Sequence, residues 1–178
     1  MLPSHTNVVD YLLGEKDPAA TALLGTGGRR TYAELQHEVF AVAASLHQAG
    51  IRKGDRVVAL CSNSFAWVEF YLGVLRAGAI WVPLPTDVSP QTLQHVLRRT
   101  TPDLCFVQAR LLQKFATGLA DQHVVTDVPA PEVSGLASQR SMSELLAERG
   151  PGDSAGPPVN PGDLAALIFT SGSTGQPR

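Results

Sequence analysis

Nine consecutive residues, Thr170-Ser171-Gly172-Ser173-Thr174-Gly175-Gln176-Pro177-Arg178, bring together four hydroxyls, two glycines and a cation. Each residue type suits a polyanion. Glycines let the backbone approach closely and aim successive amides at one phosphate, hydroxyls donate further hydrogen bonds, and a terminal cation offsets charge on the oxygens. The stretch is not the Gly-x-x-x-x-Gly-Lys-Ser/Thr loop of common nucleoside triphosphatases, and no Gly-x-Gly-x-x-Gly dinucleotide turn occurs in the chain. Composition alone would also fit a flexible surface loop. Its placement is what points to chemistry: it follows directly on Asp163-Leu164-Ala165-Ala166-Leu167-Ile168-Phe169, an apolar run that reads as a buried strand.

The elements that must position this loop can be read from periodicity and caps. Residues 21–32 form a hairpin about the turn Gly25-Thr26-Gly27-Gly28. Thr31-Tyr32-Ala33-Glu34 has the form of a capping box, and Leu35, Val39, Val42, Ala43, Leu46 and Ala49 follow at helical spacing up to a terminal Gly50. Arg56-Val57-Val58-Ala59-Leu60-Cys61 is apolar enough for a strand covered on both faces. A second helix runs from the caps Ser62-Asn63-Ser64 to about Ala77, with Gly78 closing it and 79–83 as the next strand. Ser89-Pro90 opens a further helix, 104–107 is a strand, 109–119 a helix, and 123–125 a fourth short strand. This alternation implies parallel βαβ units, and the expected fold class is α/β: an open, mostly parallel sheet with flanking helices. The expected organisation is an α/β subdomain with an N-terminal hairpin over 1–149, a Gly/Pro-rich linker over 150–162, and a strand plus loop over 163–178 that starts a second subdomain.

Composition bounds the function. The chain has 178 residues, 14 Lys+Arg against 16 Asp+Glu, 44% hydrophobic residues and two cysteines. That is enough apolar chain for one core, and the near-neutral charge argues against nucleic-acid or anionic-membrane partners. Cys61 and Cys105 lack metal-ligand spacing, which favours a reducing compartment. The first seven residues carry no secretory pattern and no apolar run reaches the roughly 20 residues of a bilayer span, so a cytoplasmic location is expected.

Other side chains are read as structural. His37 and His47 are solvated helix histidines, and His5, His95 and His123 form no ligand pattern. Glu34 and Glu69 are carboxylates favoured near helix starts, Trp67 and Trp81 pack in the core, and Arg98-Arg99 is a solvated helix end.

The run Leu164-Ala165-Ala166-Leu167-Ile168-Phe169-Thr170-Ser171-Gly172-Ser173-Thr174-Gly175-Gln176-Pro177-Arg178 closely resembles the phosphate-loop signature of the adenylate-forming superfamily of acyl-CoA synthetases, peptide-synthetase adenylation domains and luciferases. The visible departure is Arg178 where the family has lysine, a swap that keeps the charge. Thr31-Tyr32-Ala33-Glu34-Leu35 and Leu75-Arg76-Ala77-Gly78-Ala79-Ile80-Trp81-Val82-Pro83-Leu84 resemble two earlier family segments, in the same order, the second departing at Pro85. Both are assigned mainly to folding.

The resemblance implies an ATP-dependent ligase that activates a carboxylic acid as an acyl-adenylate with release of pyrophosphate, then forms a thioester on CoA or on the phosphopantetheine of an acyl carrier protein. By that likeness Thr170, Ser171, Ser173 and Thr174 hold the β- and γ-phosphates, Gly172 and Gly175 permit the wrap, and Arg178 supplies positive charge. Mg2+ accompanies the ATP, and catalytic residues are expected beyond residue 178. The chain is thus expected to be the N-terminal part of a larger, stand-alone enzyme and to be inactive by itself. An amino-acid adenylation domain and a truncated, non-catalytic binding module are the alternatives.

Overall fold

The computed structural model describes residues 7–148 and 156–169. A short helix, α1 (Val8–Leu13), begins at Asn7, whose side-chain oxygen accepts the Val9 amide while its Nδ2 donates to the Leu75 carbonyl. The glycine turn closes an antiparallel hairpin of β1 (Thr21–Gly25) and β2 (Gly28–Thr31). A Cβ at Gly25 or Gly27 would stand 3.3 or 3.2 Å from the Phe65 ring, so only bare backbone lies flush on that ring.

The capping box forms as expected. Thr31 Oγ1 accepts the Glu34 amide at 3.2 Å and Glu34 Oε2 accepts the Thr31 amide at 2.7 Å, which starts α2 (Tyr32–Gln48). Gly50 follows with φ +95°, the left-handed conformation that a helix end favours. Against α2 packs α3 (Phe65–Arg76), and their approach is close because residue 73 has no side chain: a Cβ there would fall 2.4 Å from Val42 Cγ1.

Five strands form one parallel sheet: β3 (Arg56–Leu60), β4 (Ile80–Pro83), β5 (Leu104–Val107), β6 (His123–Thr126) and β7 (Ser138–Ser141), in the order β4-β3-β5-β6-β7. Alternate residues feed opposite cores. Val57, Ala59, Trp81 and Phe106 pack under α2, α3 and the last helix, α6 (Met142–Ala147). Val58, Leu60, Val82 and Val107 pack on the other face against α4 (Pro90–Thr100) and α5 (Ala109–Phe115). This is the expected α/β fold, a parallel sheet buried between helices.

Three features differ from the expected elements. The helix expected over 109–119 is α-helical only to Phe115 and continues as a 3-10 turn, Ala116–Leu119. The sequence reading missed α1, β7 and α6, although Ser141-Met142-Ser143-Glu144 has the same capping-box form and makes both reciprocal bonds. The strand expected over 163–169 is reduced to one parallel bridge, in which the Trp81 amide donates to the Ala165 carbonyl at 3.0 Å and the Leu167 amide to the Trp81 carbonyl at 2.9 Å. The next donor on β4 would be residue 83, a proline without an N–H, and the preceding one, Ala79, already bonds to the Val74 carbonyl at 3.0 Å. Nor is the run fully buried: Leu164 and Ile168 are 60% and 64% exposed.

Candidate functional site

Residues 170–178, the whole hydroxyl-rich motif with Thr170, Ser171, Gly172, Ser173, Thr174, Gly175 and Arg178, lie outside the described residues. What the structure shows is how the chain is delivered to them. Because Ala166 bridges Trp81 in parallel, the chain runs up to Phe169 in the direction of β4, toward the carboxyl ends of the sheet strands. That edge is where open α/β sheets bind ligands. Leu167 and Phe169 pack on the α4 side of the sheet and Ala166 on the α3 side, so the short segment still alternates like a strand.

The segment resembling the second family motif receives this delivery. Gly78 turns the chain from α3 into β4 with φ +74°, and a Cβ there would lie 2.9 Å from Pro157 Cγ. Gly156 approaches the Arg76 carbonyl so closely that a Cβ would stand 2.3 Å from its oxygen. The loop before β3 adds Lys53, whose Nζ donates to the Pro158 carbonyl at 3.0 Å and pairs with Asp163 Oδ2 at 2.6 Å. Lys53, with the Asn160 amide as second contributor, holds the Asp163 carboxyl below its ordinary range.

A polar network missed from sequence sits at the carboxyl ends of β3 and β5, where the strand order reverses. Ser62 Oγ donates to Gln108 Oε1 at 2.8 Å, while Arg110 donates to Ser62 Oγ and to Gln108 Oε1, both at 3.0 Å. Asp127 Oδ1 accepts the Ala109 amide at 2.7 Å and so occupies the first amide of α5. The only sequence signal was position, since each residue falls just past an apolar run.

The remaining candidates separate. Trp67 and Trp81 do pack together, edge to face at 5.8 Å, with Tyr71 beside both. Arg98 and Arg99 are exposed at the end of α4. His37 is exposed, but His47 corrects the solvated reading: it is half-buried with Nε2 3.2 Å from the Ala77 carbonyl. Cys61 and Cys105 are free thiols whose burial pushes each up to about 12, so neither is a thiolate at neutral pH. Among the described residues no group of three or more His, Cys, Asp or Glu side chains could hold a metal ion, and no helix is long and apolar enough to cross a membrane.

Glu69 also departs from expectation. It lies in the second turn of α3, buried, and meets Arg30 of the hairpin at 3.3 Å. Burial raises its carboxyl above the ordinary value, partly offset by the Arg30 guanidinium. A carboxyl raised in the folded state binds more protons folded than unfolded, so its ionisation costs stability as pH rises through the ordinary glutamate value toward the raised one. Replacing it by Glu69→Gln is expected to flatten that loss. Denaturant midpoints measured from about pH 4 to 7 check this, and parallel pH curves for the variant and the parent protein would refute it.

The comparisons with known proteins bear on the whole chain. A family model described as AMP-binding enzyme matches residues 13–178. The chain belongs to this family. A 3-hydroxybenzoate–CoA ligase of Aromatoleum sp. strain CIB is 32% identical over 181 residues, covering 97% of this chain and 33% of that protein. Phenyloxazoline synthase MbtB of Mycolicibacterium paratuberculosis is 31% identical over 165 residues, covering 92% of the chain and 12% of the relative. The crystal structure of ATP-bound MatB from Rhodopseudomonas palustris superposes with a TM-score of 0.77 at 27% identity, over 98% of this chain and 34% of that one. The chain thus spans about a third, or less, of the length of these relatives. Within the AMP-binding family, Thr31 and Glu34 are accounted for by the helix cap, and the 75–84 segment by the turn and the bridge it supplies.

Proposed function

We propose that the chain is the N-terminal part of an AMP-forming acid–thiol ligase, which activates a carboxylic acid with ATP and passes the acyl group to a thiol. The observation that supports this reading is the parallel bridge at Trp81, which directs the segment ending at Phe169 toward the carboxyl edge of the sheet, with the Thr170–Arg178 motif next in sequence. The task of such a site is to hold nucleophile and α-phosphorus in line and to stabilise charge gathering on the leaving pyrophosphate. Four hydroxyls, backbone amides freed by Gly172 and Gly175, and the Arg178 guanidinium supply donors of the right kind. Nucleotide use is supported by the family and by the likeness to an ATP-bound structure. Mg2+ would travel with the ATP and neutralise phosphate charge, but the described residues offer it no ligand cluster.

CoA as acceptor is favoured by the CoA ligase relative, and the carrier-protein alternative by the match to the phenyloxazoline synthase. Exchange of pyrophosphate into ATP, run with a panel of carboxylic acids, tests the reading. The full-length protein is expected to show acid-dependent exchange, and residues 1–178 alone none. Exchange without any acid dependence, or its absence from the full-length protein across the panel, would instead favour a non-catalytic module.

A further inference from the structure

Residues 163–169 face a register problem. A strand with one face buried is held in register by its ladder and its side-chain alternation, and a slip of one residue exchanges the faces. Here the ladder consists of two hydrogen bonds, both to Trp81; Pro83 has no N–H to extend it and the Ala79 amide is taken by the Val74 carbonyl. The alternation is equally thin, with Ala166 on one face and Leu167 and Phe169 on the other, while Leu164 and Ile168 are exposed. Something else must fix which residue meets Trp81.

Lys53 is placed to do so. Its loop is held to the Gly78 turn by the Gly54 amide on the Gly78 carbonyl at 3.0 Å and by the Ile80 amide on the Asp55 carbonyl at 2.7 Å. The Lys53 stem lies beside Gly78, with Cγ 3.3 Å from where a Cβ would be. From this base Nζ reaches Pro158 O and Asp163 Oδ2, and Asp163 in turn closes the Asn160-Pro161-Gly162-Asp163 turn, its carboxylate accepting the Asn160 amide at 2.6 Å and its amide donating to the Asn160 carbonyl at 3.0 Å. Asp163 stands two residues before Ala165, the first residue bonded to Trp81.

We propose that Lys53 is a positioning residue that pins the register of residues 163–169 and, through it, the entry of the 170–178 loop into the phosphate site. The second half rests on the function proposed above; the first does not. A one-residue slip moves the chain about 3.3 Å, and displacements of even 1 Å at a reacting centre are costly. Partly exposed pairs are individually weak, so the expected effects are modest.

The test uses the full-length protein with Lys53→Met and Lys53→Arg, each checked by circular dichroism for retained folding. In Lys53→Met the Leu167 amide is expected to exchange with solvent roughly three- to tenfold faster, and KM for ATP in pyrophosphate exchange to rise by a similar factor with KM for the acid unchanged. Lys53→Arg is expected to stay within about twofold of the parent in both, since it keeps the charge and a donor. An unchanged Leu167 amide in Lys53→Met overturns the register claim, and faster exchange with unchanged KM for ATP overturns the link to the site. Should the parent protein lack pyrophosphate exchange, the reading of the loop fails, while the amide measurement still decides whether Lys53 holds the register.

Discussion

Replacing Ser171, Ser173 and Thr174 together by alanine in the full-length protein is expected to lower kcat/KM for ATP by roughly 10²- to 10³-fold, with the fold intact. One donor aimed at developing charge is worth about that much where it has been removed from other enzymes, and three hydroxyls acting on the same polyphosphate are not additive. Their removal leaves Gly172, Gly175 and the backbone amides in place, so the residual activity reports what the amides supply. An Arg178→Lys variant restores the lysine of the family pattern and should lie within a few-fold of the parent, since the charge is retained. Steady-state pyrophosphate exchange measures both. A triple variant that loses less than fivefold would remove the loop from the phosphate site. Thermal unfolding of the triple variant, measured alongside, checks that the fold is intact.

The second large effect is on stability. Phe106 sits at the middle of the sheet on β5, fully buried, with its ring stacked on Phe70 of α3 at 4.0 Å between centroids and 8° between planes. It joins the sheet to the α2 and α3 layer. Phe106→Ala is expected to cost about 3–5 kcal/mol, combining the lost transfer energy with the cavity left behind. For a chain of this size that lowers Tm by roughly 6–20 °C. Phe106→Leu, which keeps most of the volume, should lose less than half as much. Calorimetry on the three proteins checks the order. A parent-like Tm for Phe106→Ala would mean that the ring does not bridge the layers.

Much of the architecture was legible from local signals. The caps at Thr31, Ser64 and Ser89, the glycines at 50 and 78, and the apolar runs at 56–60 and 104–107 all act within a few residues, and each element begins or ends where they stand. The same logic, applied to Ser141 and Glu144, would have found α6. Strand β7 was beyond it, because Ser138-Gln139-Arg140-Ser141 is polar and becomes a strand only by pairing with β6. Glu69 illustrates the converse. Its position suggested a carboxylate favoured by a helix start, yet the hairpin folds over it and brings Arg30 from 39 residues away.

The site divides along the same line. The order of hydroxyls, glycines and cation in residues 170–178 is the ground on which polyphosphate binding is proposed, since donors of that kind are a matter of residue types and their spacing. The course of the segment before it could not be read that way. The parallel bridge to Trp81, the Lys53 to Asp163 tie and the Ser62, Gln108 and Arg110 network each join segments 46 or more residues apart. Contacts at such separations depend on how the strands are ordered in the sheet, and no local period records that order. The chain's own residues therefore determined which chemistry is proposed for it and most of the elements it forms; only the packed sheet decided beside which strand, and in which register, the segment leading to Phe169 lies.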